Sequence, residues 1–156
     1  MLLCELLFNE DWVNRLVDVI FVRKYTMLNQ EKIYYWVELS DYDLETAQAL
    51  LKTKRYLYVG FMCHQVIEKI IKAYYYSVKN EMPPYIHSLL RLAEKSDLIR
   101  LLNEEQLVII DELEPLNIEG RYPSYKEELM KTLNTSRCEK LLTDTTILQQ
   151  WIKKML

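Results

Sequence analysis

Gly60 and Gly120 are the only glycines in this 156-residue chain, and proline occurs four times. A sheet-rich fold needs many turns of unusual backbone conformation, which glycine supplies, whereas long helices joined by short links need few. The scarcity of glycine therefore points to an all-α fold before any periodicity is considered. Half of the residues are apolar, enough to fill a core, and the length suits one domain better than two.

The net charge of −3 sets aside a strongly basic nucleic-acid binder, though a local basic face stays open. Cys4, Cys63 and Cys138 are odd in number and widely spaced, so they read as reduced, buried thiols rather than a disulfide framework. No uninterrupted apolar run reaches the roughly 20 residues of a membrane helix. Glu5, Glu10 and Asp11 sit where a signal peptide needs a basic start and a clean apolar stretch. The expected location is the cytoplasm, with no membrane partner.

Residues 1–31 are set apart as an N-terminal extension from a helical domain at 32–156. Leu2 to Phe21 would make a helix with a broad apolar side, but Val19 to Val22 is β-branched and aromatic, so strand and helix compete there. Two readings of residues 1–26 stand side by side. One is an extra element that packs on the domain or on a second subunit. The other is a start placed too far upstream, with Met27 the native one.

From Gln30 to Lys52, Trp36, Val37, Leu39, Tyr42, Leu44, Ala47, Leu50 and Leu51 recur at near-helical spacing between acidic residues. Thr53 to Arg55 forms a connector to a second helix, about Tyr56 to Lys79, interrupted by Gly60 near its start. This helix is apolar on most sides, with a narrow polar stripe of His64, Gln65, Glu68, Lys69 and Lys72. A helix so apolar is central to a bundle. Pro83 and Pro84 end the link that follows.

A short helix is expected over Ser88–Lys95, with Ser88 as its cap. Another opens on Asn103 with Gln106 at the capping-box position and runs to about Glu114, before Pro115. Leu116 to Tyr125 reads as irregular. The last helix is expected to start on a Ser136/Glu139 capping box, with Cys138, Leu141, Thr145, Leu148, Ile152 and Met155 forming its seam. Together these give an up-and-down antiparallel bundle of four to five helices.

Several chemistries are absent from the sequence. His64 and His87 lie in separate elements without an accompanying metal-ligand pattern, so neither a metal site nor a cofactor is expected. Two glycines cannot build a Walker A loop, a dinucleotide-binding turn or a nucleophile elbow. Tyrosine is the abundant residue, with twelve copies. Its large ring and polar tip suit bundle seams, a subunit interface or a base-stacking surface.

Four segments, in order, resemble the HEPN family. Trp36 to Leu51 (WVELSDYDLETAQALL) is similar to its opening helix, with an Asp-Leu pair at Asp43-Leu44 and an alanine at Ala47. Phe61 to Ala73 (FMCHQVIEKIIKA) is close to its second-helix pattern. Pro83 to Leu89 (PPYIHSL) is similar to the family's His-Asp-Leu, and Asn117 to Tyr125 (NIEGRYPSY) to its Ala-Arg-Tyr-Pro segment. The likeness covers about 125 residues, beginning at residue 32.

That resemblance implies a HEPN-like helical bundle, a homodimer, and a nucleotide-binding module beside a minimal nucleotidyltransferase partner in a toxin–antitoxin-type context. One branch of the family contains ribonucleases whose motif is an Arg followed after four to six residues by a His. Here eight residues separate Arg55 from His64, and Arg55 is also the nearest upstream arginine to His87. The leading expectation is therefore a non-catalytic module with a nucleotide or RNA ligand and no assignable catalytic residue. The alternatives are a metal-independent HEPN ribonuclease or toxin, and a structural homodimer scaffold. The expected anionic-ligand or nucleotide site is Lys69, Lys72, His87, Arg121 and Tyr122, supported by Glu68 and His64. Glu68 and Lys72 also fit a surface ion pair, and His87 opens a helix start suited to an anion.

Overall fold

Residues 53–55 turn the chain back on itself between two long helices, with Lys54 in the left-handed region at φ 58°. The computed structural model describes residues 10–117, 127, 129 and 131–156, with side chains from Asn29 onward. Among the described residues, every regular element is helical: α1 (Glu10–Lys52), α2 (Tyr56–Lys79), α3 (Leu89–Lys95), α4 (Glu104–Leu113) and α5 (Thr135–Lys153). Tight 3-10 turns at Leu98–Arg100 and Glu114–Leu116 follow α3 and α4. The all-α bundle expected from glycine scarcity is the observed fold.

α1 and α2 form an antiparallel hairpin, because their contacts run in opposite order. Asn29 accepts from the Tyr76 hydroxyl at 3.0 Å, and Ser40 donates to the Val66 carbonyl at 2.9 Å. Tyr56 meets Thr135 and Cys138 at the start of α5, whereas Gln149 near its end reaches Ser40. α5 therefore runs with α2 and against α1. α2 is the central helix and packs on α1, α3, α4 and α5. Val66, Ile67, Ile70 and Ile71 are fully buried on it.

α1 is longer than the pattern suggested. It begins at Glu10 rather than near Gln30 and spans 43 residues, about 65 Å at the usual rise. The stretch from Val19 to Val22, where strand and helix compete, is helical. A helix already propagating from both sides adds one bond per residue fixed, so weak β propensity does not stop it.

Most caps follow local chemistry. Ser88 accepts from Arg91 N–H at 3.3 Å, and Asn103 and Gln106 close the expected capping box at 2.9 and 3.0 Å. α5 differs. Its cap is Asn134, which accepts from Arg137 N–H at 3.0 Å, so the Ser136/Glu139 box is not formed. Asn134 stands just ahead of the first helical residue in extended backbone, and Ser136 already lies inside the helix. The expected α5 seam is otherwise present: Cys138, Leu141, Thr145, Leu148 and Ile152 are buried.

Gly60 does not interrupt α2. A Cβ there would lie 3.1 Å from Leu116 Cδ1, so the missing side chain lets the 3-10 turn after α4 approach closely. Cys63 and Cys138 are free, buried thiols, as read from the sequence, and Cys4 lies outside the described residues. Burial pushes the Cys63 thiol up to about 12 and also raises that of Cys138, which makes both unreactive. No helix among the described residues is long and apolar enough to cross a membrane.

The cap assignment is testable by chemical denaturation. Asn134→Ala should cost about 1 kcal/mol, whereas Ser136→Ala should change stability by less than about 0.5 kcal/mol. The reverse order would place the start of α5 at Ser136.

Candidate functional site

His64, Glu68 and Lys72 are spaced by four and therefore follow one line along α2. A polar line on an apolar helix ordinarily faces water. Here it is buried, with relative exposures of 1%, 3% and 7%. The surface ion pair expected for Glu68 and Lys72 is thus a buried one. The cause is the central place of α2, whose polar line is roofed by the loop entering α3 and by the end of α4.

Glu68 is the hub. Its carboxylate accepts from Lys72 Nζ at 2.6 Å and from His87 Nδ1 at 3.2 Å, with His64 Nε2 at 3.5 Å. Burial pushes this carboxyl upward, but hydrogen bonds from His64 and Lys72, the Lys72 charge and the bond from His87 outweigh it. The group is held down at about 2.

His64 sits between two backbone carbonyls, with Nδ1 3.0 Å from Leu113 O and Nε2 3.0 Å from His87 O. A carbonyl oxygen only accepts, so each contact is a hydrogen bond donated by the ring nitrogen that carries a proton. One imidazole thereby ties α2 to the end of α4 and to the α3 entry loop.

The two lysines of the expected site are both engaged. The Lys72 ammonium also lies 5.3 Å from the centroid of the Trp36 ring, a cation–π contact. Lys69 donates instead to Asp43 on α1 in a close, largely buried ion pair. The structure thus joins Lys72, His87 and His64 around Glu68 and turns Lys69 to a different carboxylate. Arg121 and Tyr122 lie outside the described residues.

The start of α3, read from the sequence as an anion position, carries an anion of the protein's own. Glu114 Oε2 accepts from Leu89 N–H at 2.8 Å and from Leu90 N–H at 3.3 Å. What faces water is the His87 side chain, about half exposed at 48%, and the Tyr85 ring, 97% exposed and 6.1 Å away edge to face. Nδ1 of His87 is held by Glu68, and among the described residues no hydrogen bond engages its other ring nitrogen. Among the described residues, no group of three or more His, Cys, Asp or Glu could hold a metal ion.

A family model described as the HEPN domain matches residues 33–155. The chain belongs to the HEPN family. A crystal structure of TT1696 from Thermus thermophilus shares the HEPN chain's fold, with a TM-score of 0.67 at 19% identity, over 80% of this chain and 98% of that one. No curated protein sequence matches.

Within this HEPN domain, sequence reasoning missed Trp36, Asp43, Tyr85 and Glu114 as neighbours of the site. Asp43 had a signal, since it belongs to the Asp-Leu pair that resembles the family's opening helix. Glu114 had none, because its partners at Leu89 and Leu90 are 25 and 24 positions away.

Breaking a buried ion cluster leaves the remaining charges unpaired. Glu68→Ala should destabilise the HEPN fold by about 3–5 kcal/mol in urea unfolding. The depressed carboxyl stabilises the fold above its ordinary value of 4.5, and that contribution fades as pH falls towards about 2. The loss of melting temperature across that acid window should be shallower in Glu68→Gln. An unchanged slope would show that Glu68 is not held as described.

Proposed function

We propose that this HEPN protein is a non-catalytic nucleotide-binding and dimerisation module that works with a nucleotidyltransferase-like partner, in a toxin–antitoxin-type setting. The observation that carries the non-catalytic part is the commitment of the site's cations. A metal-independent ribonuclease needs a cation aimed at the phosphorane beside its acid–base group. Lys69 is spent on Asp43 and Lys72 on Glu68. The ligand part rests on the edge that faces water, where a base would stack on Tyr85 and a polar group would bond to His87. Arg121 and Tyr122 join this proposed site on the sequence pattern alone.

Calorimetric titration with adenine and guanine nucleotides at low salt tests the reading. Binding should be seen, and Tyr85→Ala and His87→Ala should each weaken it by about tenfold, a loss consistent with one base-stacking or hydrogen-bonding contact. Absence of heat with every nucleotide would remove the ligand part and leave partner binding.

One observation favours the rival ribonuclease reading: a buried carboxylate orienting a half-exposed histidine is how a general base is held. That reading expects growth arrest on expression, relieved by His87→Ala. Normal growth with intact cellular RNA would eliminate it.

A further inference from the structure

The face of α1 turned away from the core carries large rings and one sign of charge. Tyr34, Tyr35 and Tyr42 are each more than half exposed, beside exposed Glu31, Glu38 and Glu45. Glu31, Glu38 and Glu45 recur every seven residues, and the next heptad position is Lys52. This is the spacing of a helix–helix seam, with tyrosines between the glutamates where apolar residues normally lie. Between Tyr34 and Glu45 the helix flanks a shallow hollow of about 500 Å³. At the C-terminal end the charge reverses, for Lys52, Lys54 and Arg55 are all exposed.

These features choose between partners. A phosphate backbone would be repelled by the glutamates. A second copy laid parallel would set glutamate against glutamate along the seam. Laid antiparallel, with the two-fold axis beside residues 45–48, the same seam becomes self-complementary. Each copy's Glu38 then meets the basic turn of the other, and the tyrosines cover the apolar stems between them. Glu38 and Lys52 are separated by about 21 Å along the helix at the usual rise, so the contact would span several turns.

We propose that this face of α1 is the seam of an antiparallel homodimer, with the acidic tyrosine stripe of one copy on the Lys52–Arg55 turn of its partner. The inference rests on the homodimer reading above and adds the surface and the relative direction of the two chains. It also explains why large rings stand in water on a chain that buries Tyr74 and Tyr76.

Charge exchange tests it. One variant carries Glu38→Lys and Glu45→Lys, and another carries Lys52→Glu, Lys54→Glu and Arg55→Glu. All the altered side chains are exposed, so circular dichroism should report an unchanged fold. Light scattering at micromolar concentration should give a dimer for the wild type and a monomer for each variant alone. An equimolar mixture of the two should form a heterodimer, because each repels itself and complements the other. A wild-type dimer with both variants also dimeric would overturn the α1 seam while leaving the homodimer reading intact. A monomeric wild type would overturn both.

Discussion

The cluster around Glu68 is the interaction on which the arrangement of this bundle turns. A carboxylate almost removed from water is sustained by a lysine on its own helix, a histidine one turn before it and a histidine from the loop ahead of α3. Such a cluster holds as a unit, because removing any member leaves an uncompensated charge in a medium that solvates it poorly. Its geometry also fixes three segments that are remote in the chain. His64 reaches the Leu113 carbonyl 49 positions away and the His87 carbonyl 23 positions away. The short α3 and α4, which bury Leu89, Leu92, Ile110 and Leu113 in the core, are thereby also referenced to α2 by polar contacts.

A second polar lock works on the other flank. Ser40 is buried between α1 and α2 and is joined by Gln149, which also reaches Asp41. Lys153 closes the set at 2.8 Å from Asp41. The two locks divide the labour: one sets α1 and α5 against α2, the other sets the small helices. Between them lie the isoleucines of α2. The hydrophobic effect supplies the drive to bury that helix, and the polar contacts choose the register in which it is buried.

This economy bears on function. Positive charges that would draw a phosphate in a linear reading are consumed by carboxylates of the same chain, and even the start of α3 is occupied by Glu114. Two aromatic patches face outward on the described surface, His87 and Tyr85 at one end and the tyrosine stripe of α1 along another face, the latter flanked by glutamates and ending at the basic Lys52–Arg55 turn. The tyrosines thus fall into two groups. Tyr56 and Tyr76 bond Thr135 and Asn29 within the bundle, whereas Tyr34, Tyr35, Tyr42 and Tyr85 stand in water.

How much could be read in advance followed the range of the physics involved. The Asn103–Gln106 box spans three residues and was legible. Ser136 and Asn134, two positions earlier, offer the same capping chemistry, and only the packed position of α5 selects Asn134. The polar line of α2 is legible in the sequence, where it reads as a surface stripe, but in the fold His64, Glu68 and Lys72 are buried. Arg121 and Tyr122 lie outside the described residues, so their part in the site stays on the sequence pattern. Sequence by itself determined the helical class, the bounds of α2, two of the caps and the family resemblance, because propensity and capping act within about four residues. Tertiary structure alone decided that Glu68, Lys72 and His64 are core residues, that Lys69 belongs to Asp43, and that His87 is bound to Glu68 with its side chain half exposed. Those outcomes depend on burial and on partners 19 to 49 positions away. A charge pattern along one helix carries no record of what will cover it.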